Sequence, residues 1–147
     1  MNTVKNNLLS MLNSALELEQ AARIQYLSHA ELIKGAGAEK IIERLKEIAS
    51  DEEKHEEKFR TLIGDYLGGD PSMALAPVHS AKTQTQILEI NLKGEKEAID
   101  FYQKIHKAVI EQKDNLKYKY EMLEHEIRHI ITEEEEHVAE LSLLLGL

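Results

Sequence analysis

Glycine and proline are missing from residues 1–34, 38–63, 78–93 and 95–145. Stretches of that length, rich in Leu, Glu, Lys, Ala and Gln, favour helix because nothing in them breaks the backbone hydrogen-bond ladder. The breakers gather instead at Gly35 and Gly37, and again across Gly64, Gly68, Gly69, Pro71 and Pro77. They predict helices over about 3–34 and 38–67, followed by a connection over about 68–80. In the second half, the polar run Lys113, Asp114, Asn115 marks a turn near 112–116 between a third and a fourth helix. The fold class is therefore all-α: one domain over 1–147, a four-helix bundle with a single long connection between the second and third helices.

The apolar rhythm places a face on each helix. Steps of four and three read Leu8, Leu12, Ala15, Glu19, Ala22, Tyr26, His29, Ile33 in the first helix and Ile41, Leu45, Ile48, Glu52, His55, Phe59, Leu62, Tyr66 in the second. The third gives Leu88, Asn91, Glu95, Ala98, Tyr102, Ile105, Val109, and the fourth Leu123, Ile127, Ile130, Glu134, His137, Leu141, Leu144. Such spacing turns these side chains toward the bundle axis. The seam is apolar at its ends and acidic at its centre. Four buried carboxylates without cations would each cost several kcal/mol, against a typical domain stability of about 5 to 15 kcal/mol. Two divalent cations cancel four negative charges, and oxygen-rich ligation with two imidazoles suits iron or manganese.

Seven His and 22 Glu in 147 residues make about one Glu-x-x-His pair by chance. Three occur. Glu126 and His129 lie eight residues before Glu134 and His137, which rotates them about 80° off the seam and reads as a surface pair. An internal repeat supports the other two: Glu19, Ala22, Tyr26 recurs as Glu95, Ala98, Tyr102, and Glu52, His55, Leu62, Gly64 as Glu134, His137, Leu144, Gly146. Glu95 to Glu134 spans 39 residues against 33 for Glu19 to Glu52, and the six extra residues are expected to lengthen each arm of the second hairpin by roughly one turn. His29 is expected to make a structural hydrogen bond, and the neighbours of Glu134 in the run Glu133–Glu136 to be solvated.

Charge and composition exclude several classes. A net charge of -9 opposes a phosphate-backbone partner, so no nucleic acid is expected. Without cysteine there is no disulfide, zinc-thiolate site, iron-sulfur cluster or rubredoxin-type centre. No stretch approaches the ~20 apolar residues of a membrane span, and the start MNTVKNNLL lacks the apolar core of a signal peptide, which leads us to expect a soluble cytoplasmic protein.

At these residues the sequence resembles the bacterioferritin branch of the ferritin-like di-iron carboxylate superfamily. Glu19 with Gln25, Tyr26, His29 and Ala30 is similar to that family's first-helix signature, and Asp51, Glu52, Lys54 and His55 to its second. Glu95 with Ala98 and Tyr102 is similar to the third, and Glu133 to His137 to the end of its ferroxidase motif. The resemblance implies that Glu52 and Glu134 bridge two irons, that Glu19 and His55 complete one and Glu95 and His137 the other, and that Tyr26 hydrogen-bonds beside the site. It implies Fe2+ as the bound ion, O2 or H2O2 as its oxidant, ferroxidase-type iron handling, and a homodimer.

The chain also departs from the family. Glu53 stands where bacterioferritins place a haem-ligating Met, so no haem is expected, and with ten residues after His137 no counterpart of the fifth helix that supports a 24-subunit shell is expected either. The alternatives are a rubrerythrin-like peroxide reductase, which here lacks the Cys-held electron-transfer centre, a manganese catalase-like activity, and a non-enzymatic metal-binding stress protein.

Overall fold

A computed structural model describes residues 2–147, with Asn2 known by its backbone alone. Four helices account for most of it: α1 (Asn2–Ala30), α2 (Ala38–Thr61), α3 (Gln84–Glu111) and α4 (Tyr120–Leu145). α1 packs on α2 and α3, and α4 on α3 and α2, which makes a four-helix bundle of two hairpins.

Local chemistry sets most of the boundaries. α1 stops at Ala30 rather than at 34, because the chain tightens there into three-residue turns, Glu31 N to Ser28 O and Leu32 N to His29 O. Gly35 (φ 97°) and Gly37 (φ 74°) then take left-handed conformations that open α2. α2 runs into a widened π turn over Leu62–Tyr66, so the second helical stretch ends one residue before the expected 67. α3 begins at a capping box: Thr83 Oγ1 accepts from Gln86 N, and the Gln86 side chain accepts from Thr83 N. A short 3-10 turn at Lys113–Asn115 separates α3 from α4, where the polar cluster placed it.

The extra length of the second hairpin is not shared between its arms. From Glu95 to the end of α3 there are 16 residues, against 11 from Glu19 to the end of α1. Ala38 to Glu52 and Tyr120 to Glu134 are both 14 residues. The expected one turn per arm is thus corrected: the added length sits in α3, with one more residue in the turn.

The connection of residues 67–83 is an extended strap that runs along α1. Asn13 bonds Asp70 O and Ser72 N, Gln20 bonds Ala74 O, Glu17 O accepts from Ala76 N, and Gln25 and His29 hold the N–H and C=O of His79. The order of these contacts shows that the strap runs parallel to α1 and delivers the chain to the end where α2 began. α3 therefore points the same way as α2. The core is split by this register. One apolar cluster, with Leu12, Phe59, Ile105 and Ile127, fills one end; the other, with Ile33, Leu45, Leu88 and Leu141, fills the opposite end. A polar layer lies between them.

Candidate metal centre

Glu19 from α1, Glu52 and His55 from α2, Glu95 from α3, and Glu134 and His137 from α4 meet in that layer, each 3% exposed or less. Their donor atoms form two overlapping groups, each spanning no more than 4.8 Å: Glu19, Glu52, His55, Glu134, and Glu52, Glu95, Glu134, His137. Glu52 and Glu134 belong to both. His55 Nδ1 lies 3.2 Å from Glu19, 3.5 Å from Glu52 and 3.1 Å from Glu134. His137 Nδ1 lies 3.4 Å from each of Glu52, Glu95 and Glu134. The two rings stand 6.3 Å apart, centre to centre.

The outer face of each ring is also fixed. His55 Nε2 donates to Glu133 at 3.2 Å and His137 Nε2 to Asp51 at 3.0 Å. The assignment is crossed: the residue before each shared Glu orients the imidazole of the other hairpin. A proton held on Nε2 leaves the Nδ1 lone pair directed inward, as metal ligation requires. Tyr26 Oη donates to Glu95 at 2.7 Å and Tyr102 Oη to Glu19 at 2.8 Å, so the tyrosines obey the same twofold relation.

Asp51 and Glu133 are the functional residues that sequence periodicity missed. Glu133 was expected to be solvated; instead it is half-buried and bonded to His55, because at 100° from Glu134 it still reaches the ring of the neighbouring helix. One signal was available, since an acidic residue precedes the Glu of both in-register motifs. His29 is held between Asn91 and His79 O, as a structural hydrogen bond requires. Glu126 pairs with Lys58, and His129 is exposed; neither joins the cluster.

The electrostatics reflect burial and the crowding of four carboxylates. Burial, reinforced by Glu134, raises the Glu19 pKa to about 7, and burial with Glu134 raises that of Glu95 to about 8. Burial and the neighbouring Glu134, Glu19 and Glu95 push Glu52 well up. Burial disfavours charge on both imidazoles, but the surrounding carboxylates outweigh it and raise them. For Glu134, burial is outweighed by His137 and His55, and its pKa is lowered. Tyr26 and Tyr102 are pushed up by burial and by Glu95 and Glu19 respectively, and so remain hydroxyl donors.

Glu56 gives an internal comparison. It is as buried as Glu52 one turn earlier, yet Arg23 and Arg60 neutralise it. Among the described residues no Lys or Arg nitrogen comes within 4.0 Å of Glu19, Glu52, Glu95 or Glu134. Glu52 Oε1, Glu95 Oε2, both Glu134 oxygens and His137 Nδ1 are buried without a well-formed hydrogen bond. Four carboxylates, two inward nitrogens and these unpaired atoms fit a pair of divalent cations.

Residues 9–147 match the model of the ferritin-like domain family, named Ferritin. A bacterial ferritin of Neisseria meningitidis is 35% identical over 105 residues, covering 70% of this chain and 66% of its own, so the chain spans just under two thirds of that relative. A crystal structure of ferritin-like, diiron-carboxylate proteins from Bacillus anthracis superposes with a TM-score of 0.90 at 26% identity, covering 99% of both chains. A Rhodobacter capsulatus bacterioferritin, described with a metal-free dinuclear site and haem iron, superposes with a TM-score of 0.85 at 27% identity, covering 96% of this chain and 84% of that one. With an all-α bundle, a crossover strap and a buried layer of candidate metal ligands, the chain belongs to the ferritin-like family.

Proposed function

We propose that this protein binds two Fe2+ through Glu19, Glu52, His55, Glu95, Glu134 and His137 and oxidises them with O2 or H2O2. One observation carries the reading: the carboxylates of Glu52 and Glu134 each lie within 3.5 Å of both inward imidazole nitrogens, whereas Glu19 lies near His55 only and Glu95 near His137 only. That arrangement supports Glu52 and Glu134 as the carboxylates that would be shared by both ions and Glu19 and Glu95 as ligands of one ion each. Two Fe2+ supply two electrons, which take O2 to the level of peroxide or, with two protons, H2O2 to two waters.

The protein contributes charge balance and position. Asp51 and Glu133 hold the Nε2 protons, so that Nδ1 of each ring donates inward. The Tyr26 and Tyr102 hydroxyls hold Oε1 of Glu95 and Glu19, and Oε2 of each faces His137 and His55 respectively. The exposed Glu53 offers no soft axial ligand, and the reading does not include bound haem. A homodimer remains part of the proposal.

Anaerobic titration with Fe2+, followed by O2 or H2O2 in a stopped-flow instrument, tests the reading. Saturation at two Fe2+ per chain and a fast oxidation phase after oxidant addition are expected. Saturation at one ion, or two ions that remain ferrous with both oxidants, would reject it. Slow reaction with O2 but fast turnover with H2O2 and an electron donor would favour the peroxide reductase.

A further inference from the structure

At the end of the bundle where α1 stops and the strap turns into α3, a groove of about 580 Å³ opens to solvent. Ile24, Leu32 and Val78 line it and are 37%, 45% and 54% exposed. Its volume falls in the range of roughly 300 to 1,000 Å³ that small-molecule sites occupy. None of the six clustered metal-ligand candidates lines it.

The polar groups in the floor of the groove are already paired. His79 N donates to Gln25 Oε1 at 2.7 Å, Gln25 Nε2 to Asn91 Oδ1 at 2.9 Å, Asn91 Nδ2 to His29 Nδ1 at 2.9 Å, and His29 Nε2 to His79 O at 2.9 Å. These four links close a ring that keeps His29 neutral, with its proton on Nε2. Such a floor offers an entering apolar body no orphaned donor or acceptor, and it fixes the strap side of the groove. The charges lie at the rim. Lys34 and Lys82 line the groove and are exposed, and among the described residues neither forms an ion pair; Glu31, the acidic residue nearest Lys34 in sequence, pairs with Lys46 instead. In a chain of net charge -9, two unpaired ammonium groups beside three exposed apolar side chains are complementary to an anion with an apolar body. The last carbonyls of α1 carry partial negative charge and disfavour an anion beside Lys34, which follows them in the chain, so the headgroup belongs at Lys82 on the strap.

We propose that this groove binds one small amphipathic carboxylate, with its hydrocarbon body along Ile24, Leu32 and Val78 and its headgroup at Lys82. The site is separate from the metal layer and does not depend on the proposed oxidation.

Titration of the full-length protein with decanoate below its micelle concentration, followed by calorimetry and methyl NMR, tests the proposal. Decanoate should bind saturably at one per chain and shift the methyl resonances of Ile24, Leu32 and Val78. Decan-1-ol should bind wild type about five- to tenfold more weakly, and decanoate should bind Lys82→Glu more weakly by a similar factor, the scale of one half-exposed ion pair; Lys34→Glu should cost less. Ser28→Trp, at an exposed position in the lining, should fill the groove and abolish binding while the melting temperature stays near that of wild type. Absence of saturable binding, equal affinity for decan-1-ol, or affinity unchanged in both Lys82→Glu and Ser28→Trp would overturn the proposal. A protein that ignores decanoate but sediments with phosphatidylglycerol vesicles would make the groove a membrane contact and overturn it. So would a dimer lost in Ser28→Trp without any decanoate binding by wild type, which would make the occupant a second copy of the chain.

Discussion

Glu52 and Glu134 should matter more than their terminal counterparts, because each faces both imidazoles. Replacement of either by Ala removes a charge shared by two cations and should weaken both metals, so that Co2+ or Fe2+ titration loses both steps. Glu19→Ala should lose the ion beside His55 and Glu95→Ala the ion beside His137, each leaving one. His129→Ala should change neither, since that ring is exposed and outside the layer. Asp51→Asn and Glu133→Gln keep size but reverse or weaken the hold on Nε2–H; metal affinity should fall by about 10- to 100-fold, measured by competition with a chromophoric chelator. The six clustered residues were legible in the sequence because all of them lie on the helical rhythm. Asp51 and Glu133 were not, since each acts one helix away and periodicity within a helix carries no information about its neighbour's ring.

At the scale of elements, the capping box is the clearest stabilising device. Thr83 ends the strap and starts α3, so Thr83→Ala should cost about 1 kcal/mol, measured by urea unfolding, with the metal stoichiometry retained. The helices were readable from breaker-free stretches, and the turn at 112–116 from three polar residues. The end of α1 was overrun because Glu31 to Lys34 are good helix formers, and only the tightening before Gly35 stops them. The strap carries no apolar rhythm, so its course along α1 is set by side chains of α1 that sequence periodicity treats as surface. Asn13, Glu17 and Gln20 are spaced one turn apart and serve as its rungs.

For the whole molecule, the apo protein should become less stable as pH rises from about 4.5 to 8. The folded-state pKa values of Glu19 (about 7), Glu95 (about 8) and Glu52 lie above the ordinary 4.5, so in this window the folded chain holds more protons than the unfolded one. The raised imidazoles act in the same direction above their ordinary 6.5. Glu134 has the opposite sign, and its contribution is lost only below about 4.5. Thermal melts at pH 5 and pH 8 should give the lower Tm at pH 8 without metal. Mn2+ should raise Tm more at pH 8 than at pH 5, because bound metal displaces those protons. An apo Tm that rises with pH would contradict the assignment of a crowded, uncompensated layer. The same layer also bears on the order of folding. Each candidate metal position draws donors from both hairpins, whereas each hairpin on its own joins only helices that are adjacent in the chain, at shorter sequence separation than contacts between the hairpins. A hairpin can form early, but neither can assemble a complete ion site until the two have docked. Metal added during refolding should then leave the folding rate nearly unchanged and slow unfolding instead, so that the ions act as a kinetic latch between two halves that find their shapes separately.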